Sequence, residues 1–478
     1  MTKRRSGREL VTLVLDADSY QSWDQPIDRS GIDERYAREI ARAAEKSGSD
    51  EAVITGTGLI DGRKVALVVG EFGFLGGSIG AAAADRIVTA VRRATSEGLP
   101  LLAATASGGT RMQESAATFF EMATIAQALT EHKLRGLPYL VYLRNPTTGG
   151  VFASWGSLGH ITAAEPGALI GFLGPKVYEE LNGSAFPTGV QVAENLLECG
   201  VIDLVFPHEE IADHMARALS LLQDEPGASE AVVRTDKGAQ DGLETWDSIE
   251  RTRSASRPGV RELLRHAATD TIRLNGTNEG ERGDAIILAL TRIDAIPVVL
   301  IGQDRFAQAA GHELGPAGLR TARRGMRLAN DLGLPLISVV DTPGAELSKE
   351  AEEAAMAGEI GRCLAELSTM AVPTVSVILG QGCGGGALAM LPAHTIIAAE
   401  HGWLAPLAPE GASAIVYGDS EHAAEMARDQ GVSARDLQAS GVVDLIVPEL
   451  PDAADEPVDF VNAVAAACGA ALREQFRG

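Results

Sequence analysis

The chain repeats itself, and that repetition limits its fold more than any single motif does. Gly98-Leu-Pro100 recurs as Gly333-Leu-Pro335, an offset of 333 − 98 = 235, and Pro138 recurs as Pro373 at the same offset. Strand-like Glu51-Ala-Val-Ile-Thr with Lys64-Val-Ala-Leu-Val-Val-Gly70 resembles Asp284-Ala-Ile-Ile-Leu with Pro297-Val-Val-Leu-Ile-Gly302. Near the end of each half, Gly200-Val-Ile-Asp-Leu-Val matches Gly441-Val-Val-Asp-Leu-Ile, where the offset has grown to 441 − 200 = 241. A repeat of this size is one domain present twice. At 478 residues and 45% hydrophobic content, both copies can bury a sizeable core. The expected organisation is residues 1–222 and residues 258–478, joined at 223–257. There Asp, Glu, Gly, Ser and Arg predominate and large apolar side chains are few, the composition of a linker.

Each copy carries a glycine turn in the same place. Asn145-Pro-Thr-Thr-Gly-Gly-Val151 follows the apolar run Leu137–Leu143, and Gln381-Gly-Cys-Gly-Gly-Gly-Ala387 follows Val372–Leu379. Both lead into small-residue segments able to start a helix, Phe152-Ala-Ser-Trp-Gly and Leu388-Ala-Met-Leu. A strand, a glycine turn and a helix start gather unpaired backbone N–H groups at one point, where a developing negative charge can be held. The two turns therefore read as two oxyanion sites.

Other chemistries find little support. Glu71-Phe-Gly-Phe-Leu-Gly-Gly-Ser-Ile-Gly80 is rich in glycine but lacks the GxGxxG spacing of a dinucleotide fingerprint. Ser107-Gly-Gly-Thr-Arg-Met-Gln-Glu114 is not the G-x-S-x-G elbow of a serine hydrolase, since Thr105 stands two residues before Ser107. Asp341-Thr-Pro-Gly344 would match a nucleotide triphosphatase only with a GxxxxGK[ST] loop upstream, and none is present. The nine histidines are scattered, and His160, His312 and His401 read as packing or surface residues. Cys199, Cys363, Cys383 and Cys468 form no CxxC pair, so no zinc ribbon, structural metal or disulfide framework is expected. With catalytic acids and bases absent, the protein either binds without catalysing or takes its base from a substrate or cofactor and supplies electrostatic stabilisation itself.

Charge narrows the partners. With 41 Lys+Arg against 65 Asp+Glu the net charge is −24, which argues against nucleic acid and anionic membrane. Arg320, Arg323, Arg324 and Arg327 nevertheless share roughly one helical face, a solvated surface or an anion or partner contact. The basic start Met1-Thr-Lys-Arg-Arg precedes an apolar run, Leu10–Leu15, too short for a signal peptide. No apolar run reaches the roughly 18 residues that a membrane helix needs. A cytoplasmic location with reduced thiols is therefore expected.

In order and spacing, the motifs of the first half resemble the β subunit of bacterial acetyl-CoA carboxylase carboxyltransferase. They are Phe72-Gly-Phe-Leu-Gly-Gly-Ser-Ile-Gly80, Ser107–Glu114, Pro146-Thr-Thr-Gly-Gly-Val151, Ala164-Glu-Pro-Gly-Ala-Leu-Ile-Gly-Phe172 and Glu198-Cys-Gly-Val-Ile-Asp203. The second half resembles the α subunit through Gly333-Leu-Pro, Asp341-Thr-Pro-Gly-Ala345, Gly380–Ala389 and Ala408-Pro-Glu-Gly-Ala-Ser-Ala-Ile415. Most of residues 50–450 is covered, in β-then-α order, as in a fused biotin-dependent acyl-CoA carboxylase carboxyltransferase. The resemblance implies an α/β chain of tandem duplicated crotonase-like (ClpP/crotonase) ββα spiral domains. The first would bind acyl-CoA, and the second carboxybiotin on a separate biotin carboxyl carrier protein served by a biotin carboxylase.

In that family's mechanism carboxybiotin gives up CO2, the biotin ureido anion takes the α proton of the acyl-CoA, and the enolate attacks CO2. The protein's part would be alignment and stabilisation of two oxyanions. By position, Gly108, Gly109, Gly149 and Gly150 would serve the thioester enolate, and Gly344, Gly385, Gly386 and Ala387 the ureido oxygen. Arg111, Arg86 and Lys176 are candidates for CoA phosphate or adenine contacts, and Arg320 and Arg324 fall where the α family also has arginines. The family's architecture further implies a homo-oligomer, a dimer or a trimer of dimers. The chain departs from bacterial β subunits in having no cysteine in its first fifty residues, hence no zinc ribbon, and few basic residues between Asp304 and Leu319. Fused relatives such as propionyl-CoA carboxylase β chains also lack the ribbon, which leaves the acyl group open. The alternatives are a decarboxylase of the same fold and a non-catalytic assembly paralogue, and intact glycines at both turns argue against the latter.

Overall fold

The computed structural model describes residues 4–114, 116–227 and 243–477. Contacts gather into two units, Met1–Leu222 with Asn278–Gly280, and Gln223–Thr277 with Glu281–Gly478. Each holds a mixed sheet of eight strands among the described residues.

In the first unit Val53–Ile60 and Arg63–Gly70 form an antiparallel hairpin around Asp61 and Gly62, both at positive φ. An aspartate followed by glycine favours that tight reversal. From Arg63–Gly70 the sheet continues in parallel through Leu101–Ser107, Tyr139–Thr148 and Ile161–Ala164. These strands read as apolar runs because the middle of the sheet is covered on both faces. The alanine-rich helix Ala81–Ser96 packs through Ala83, Ala84, Ile87, Val91 and Ala94 into the same core as Leu101, Ala103, Tyr139 and Val141. Each Val, Leu or Ile fully buried there contributes about 1.5–3 kcal/mol.

The second unit repeats this order. Its hairpin is Ile286–Ile293 with Ile296–Gln303, its parallel strands are Leu336–Thr342, Thr374–Cys383 and Thr395–Ala399, and its covering helix is Pro316–Leu332. Strands Leu101–Ser107 and Leu336–Thr342 are offset by 235 at both ends, and so are Tyr139–Thr148 and Thr374–Cys383. Even the irregularity repeats. The register shifts between Thr105 and Ser107 in one unit and between Val340 and Thr342 in the other. A bulge re-aims the backbone that follows it, and here it aims the turn carrying Gly109 or Gly344.

Of the segment read as a linker, residues 228–242 lie outside the described residues. Residues 243–257 are built into the second unit: helix Thr245–Thr252 buries Ile249 completely, and Arg257 is buried against Glu449 at 2.6 and 2.8 Å. Low apolar content resembles a linker, but the segment is held by Ile249, by the buried Thr252 that accepts from Trp403 at 3.0 Å, and by ion pairs of Arg251 and Arg257. Phe152-Ala-Ser-Trp-Gly forms consecutive turns rather than the expected helix start.

Candidate functional site

Both glycine turns lie at the C-terminal ends of the parallel strands, where open α/β sheets hold ligands. Ser107 ends its strand with Oγ accepting the Gly109 N–H at 3.0 Å, and Thr342 ends its own with Oγ1 accepting the Gly344 N–H at 3.1 Å. Gly109 has φ +114° and Gly344 +144°, which L side chains rarely adopt. The next strand ends likewise. Gly149 follows Tyr139–Thr148 at φ +66°, and Gly384 follows Thr374–Cys383 at φ +65°. All these pairs keep the offset of the strands that carry them, so Gly150 and Gly385 occupy equivalent places.

In the first unit the two turns touch, since a Cβ on Gly149 would stand 3.1 Å from the Gly109 Cα. The structure brings Gly108, Gly109, Gly149 and Gly150 together but gives three of their N–H groups other work. Gly108 donates to the Gly76 carbonyl at 2.9 Å, Gly109 to Ser107, and Gly149 to the carbonyls of Gly171 and Phe172 at 3.2 and 3.0 Å. Those three shape the turn. Gly150 N–H donates to no acceptor among the described residues, and a Cβ there would stand 3.1 Å from Thr110 Oγ1 and 3.4 Å from Met122 Cγ.

In the second unit Gly386 packs on the other turn. A Cβ on it would lie 3.0 Å from Leu314 Cδ2 and 3.2 Å from the Ala345 N. Gly344 N–H is held by Thr342, whereas Gly385 and Gly386 fall in the first turn of Gly384–Leu388, whose N–H groups have no intrahelical acceptor. Ala387 follows them, fully buried. The first turn thus leaves the Gly150 N–H, and the second the N–H groups of a helix start, able to donate to an acceptor oxygen.

Behind the second turn stands a polar assembly that the sequence did not suggest. Gln303, completely buried, accepts the Asp341 N–H at 2.9 Å and donates to the Gly386 carbonyl at 2.8 Å. Asp341 is also fully buried. It accepts the Gln381 N–H at 3.1 Å and pairs with Arg305 at 3.2 Å, which in turn donates to the Thr252 and Ser254 carbonyls at 2.8 and 2.9 Å. Burial pushes the Asp341 carboxyl above the usual range, and the Arg305 guanidinium opposes that shift. Gly380 must be glycine here, since a Cβ would meet Asp341 Oδ1 at 2.6 Å.

The arginines expected to meet phosphates are engaged in the fold. Arg111, 2% exposed, is clamped between Glu51, Tyr36 and the Ser78 carbonyl, while Glu114 of the same motif accepts the Ala81 N–H at 2.6 Å and caps the helix. Burial, reinforced by Glu114, pushes the Tyr36 phenol up to about 12. Arg86 is buried against Asp50 at 2.7 Å and Asp24 at 3.4 Å. Arg320 pairs with Glu281 at 2.8 Å and Glu359 at 3.1 Å, Arg323 with Glu359 and Glu366, and Arg324 donates to the Asn275 and Gly276 carbonyls at 3.0 and 3.1 Å. On helix Pro316–Leu332, Arg320 and Arg323 thus face carboxylates of neighbouring segments and Arg324 faces carbonyls, which spacing along one helix does not reveal. Lys176 falls in the first turn of helix Pro175–Asn182, and its side chain lies outside the described residues.

Cations without ion-pair partners among the described residues occur instead in a cavity of about 730 Å³, whose lining includes Arg4, Arg42, Lys46, Phe72 and Gly76. Arg4 lies over the Phe72 ring at 4.2 Å. Glu9, Glu39 and Glu71 line it too, but accept from the Ser6 N–H at 2.7 Å, from Arg35 at 3.3 Å and from the Gly7 and Gly73 N–H groups at 2.7 and 2.8 Å. Gly76 connects this cavity to the first turn through its carbonyl contact with Gly108. The histidines stand elsewhere: His160 accepts the Tyr139 N–H at 3.0 Å, His312 lies 3.5 Å from Asp284, and His401 is buried beside Ser248. Among the described residues no helix is long and apolar enough to cross a membrane.

The carboxyl transferase domain family model matches residues 8–476. A relative from Mycobacterium tuberculosis, named "Probable biotin-dependent acyl-coenzyme A carboxylase beta3 subunit", is 56% identical over 462 residues, covering 96% of this chain and 93% of the relative. The "Acetyl-coenzyme A carboxylase carboxyl transferase subunits beta/alpha" of Saccharopolyspora erythraea is 34% identical over 490 residues, covering 98% and 85%. Among solved structures, transcarboxylase 12S, a hexamer described with methylmalonyl-coenzyme A and methylmalonic acid bound, superposes with TM-score 0.79 at 20% identity, over 98% of this chain and 89% of that one. The likeness to that structure and to a single-chain long-chain acyl-CoA carboxylase (TM-score 0.74, 19% identity, 98% and 46% covered) makes the fold crotonase-like, present twice.

Proposed function

The chain belongs to the carboxyl transferase family of biotin-dependent acyl-CoA carboxylases, and from that premise we propose that it moves a carboxyl group from carboxybiotin to the α-carbon of a short acyl-CoA. With acetyl-CoA the product is malonyl-CoA, a precursor for fatty acid or polyketide synthesis. The observation that carries this reading is the pair of equivalent glycine turns, the first leaving the Gly150 N–H without an acceptor among the described residues and the second presenting the N–H groups of Gly385 and Gly386 at a helix start. Carboxybiotin, arriving on a separate carrier protein loaded by a biotin carboxylase, supplies both the CO2 and the base, so the chain needs no catalytic histidine.

Residues 1–222 take the acyl-CoA. Gly150 N–H holds the thioester oxygen as negative charge develops on it, while Gly108, Gly109 and Gly149 keep the turn in shape. Arg4, Arg42 and Lys46, which form no ion pair among the described residues, are suited to the phosphates of CoA, in place of Arg86 and Arg111. Residues 258–478 take the carboxybiotin, whose ureido oxygen meets the Gly385, Gly386 and Ala387 turn beside Gly344. Phe172, whose carbonyl accepts the Gly149 N–H, is exposed, as are Phe119 and Phe120 of the same unit, and Leu347, 91% exposed, follows Gly344 in the other. Apolar groups left in solvent in both units support a homo-oligomer, a dimer or a trimer of dimers, in which a second copy covers them.

The test is reconstitution with a biotin carboxylase and biotinylated carrier, comparing acetyl-, propionyl- and butyryl-CoA as bicarbonate acceptors. Carboxylation of at least one is expected. If none is carboxylated while malonyl-CoA is decarboxylated, the chain is a decarboxylase of the same fold. A chain that does neither yet assembles with its partners is a non-catalytic paralogue.

A further inference from the structure

Each hairpin strand ends beside the bulged residue of its neighbour, and there the two units differ. In the first unit the pair is Gly70 and Ala106, in such close backbone contact that a Cβ on Gly70 would stand 2.6 Å from the Ala106 N. In the second the same pair is Gln303 and Asp341, offset by 233 and 235 from their counterparts, as the strand registers on either side require. There a fully buried side chain spans the gap and reaches beyond it to the Gly386 carbonyl.

That carbonyl needs a partner. Helix Gly384–Leu388 is five residues long, and the Met390 N–H that would bond Gly386 in a longer helix bonds Ala387 instead, at 3.1 Å. At the equivalent Val151, the carbonyl is satisfied locally by the Ser154 and Gly156 N–H groups at 3.3 and 2.8 Å. The second turn has no such local solution. Its position therefore depends on a bond from a strand far earlier in the chain.

We propose that Gln303 is the positioning residue of the second turn, fixing the Gly385 and Gly386 N–H groups at the spot where a ureido oxygen is held. Its amide offers an acceptor oxygen and a donor NH2 group, and each is used on a different segment, the bulge at Asp341 and the turn at Gly386. No charged residue could do both. A carboxylate would lack the donor, and a lysine or arginine would lack the acceptor. With the amide gone the turn drifts, and a shift of about 1 Å is enough to spoil an oxyanion contact. The inference rests on the reading that this half takes biotin.

The experiment is calorimetric titration of the purified full chain with biocytin and, separately, with acetyl-CoA, for the wild type, Gln303→Met and Gln303→Glu, alongside thermal melting. Gln303→Met keeps the length and removes both hydrogen bonds. Biocytin affinity is expected to fall tenfold or more and acetyl-CoA affinity to stay within twofold. Gln303→Glu, which keeps the acceptor for the Asp341 N–H but buries a second carboxylate beside Asp341, should melt below the wild type and bind biocytin weakly, because the donor is what holds Gly386. In turnover with free biotin, KM for biotin should rise more than kcat falls. If the wild type binds biocytin and both variants bind it equally well, the positioning role is overturned. If acetyl-CoA and biocytin affinities fall together in folded variants, Gln303 is a general structural residue. If wild-type biocytin binding is lost instead through Gly150→Val, the assignment of the halves fails, whatever Gln303 does.

Discussion

Gly149 and Gly384 are equivalent positions of the two units, with φ of +66° and +65°, yet the groups that hold them in place share little chemistry. Behind the first turn lie the Thr105–Thr147 hydroxyl pair at 2.7 Å, the close approach of Gly70 to Ala106, and the buried Arg144, which donates to the Gly70 carbonyl at 2.8 Å. Behind the second lie Gln303, the fully buried Asp341 and its partner Arg305. One turn geometry is thus compatible with two kinds of support. The local rules of a bulge, a hydroxyl accepting from the second residue on, and a left-handed glycine were kept in both copies, while the packing behind them diverged.

The comparison can be broken most forcefully through the buried ion pairs. Arg111–Glu51 and Arg257–Glu449 each have both side chains at 1% exposure or less. Replacing either arginine by methionine takes the nearest cation from a buried carboxylate, leaving Glu51 only Arg29 at 3.7 Å, and should cost about 3–5 kcal/mol, measured by urea unfolding. If the units are equally dependent on buried charge, the two losses will be alike. A loss confined to Arg257→Met would mean that the second unit alone is built around its ion pairs.

Next come the turns themselves. Gly150→Val and Gly386→Val should each lower turnover roughly 10²-fold, the scale for losing one oxyanion donor. Gly150→Val should weaken acyl-CoA binding, whereas Gly386→Val should spare it and abolish use of carboxybiotin. Calorimetry on folded variants, with biotin-dependent decarboxylation of malonyl-CoA alongside, separates the two, and a reversed pattern would exchange the roles of the halves.

A smaller effect probes backbone strain. Alanine at Gly149 or Gly384 must adopt left-handed φ, which costs about 1–2 kcal/mol. Gly149→Ala should cost more, because its Cβ meets the Gly109 Cα at 3.1 Å, while the nearest atom to one on Gly384 is the Pro406 carbonyl oxygen at 3.4 Å. Equal melting temperatures would show that the first turn yields where the structure has it tight.

The smallest expected effect is in the pH dependence of the second unit. Burial raises the Glu359 carboxyl, but Arg323 and Arg320 outweigh it and hold it below the usual range. A depressed folded value means that this contribution is complete above the ordinary glutamate pKa near 4.3 and is lost as pH falls through the folded value. Acid titration of Glu359→Gln should therefore show a shallower loss of stability below about pH 4.3 than the wild type, and identical curves would remove Glu359 from the acid response.

By itself the sequence determined the duplication, the hairpin at Asp61-Gly62, the helix that follows Gly80, and the glycine turns, because each depends on residues adjacent in the chain: periodicity, turn chemistry, the φ that only glycine adopts easily. The spacing of Ser107 to Gly109 and of Thr342 to Gly344, repeated in both halves, was available too and would have pointed to the paired hydroxyl-held turns. Tertiary structure alone decided which cations are free. Arg111, Arg86 and Arg320 look available in the sequence and are engaged by Glu51, Asp50 and Glu281, from 36 to 60 residues away. Gln303 looks like an ordinary polar residue at a strand end, and folding buries it between Asp341 and Gly386. An ion pair or a buried amide is a property of two or three segments brought together, and distance along the chain carries no trace of it.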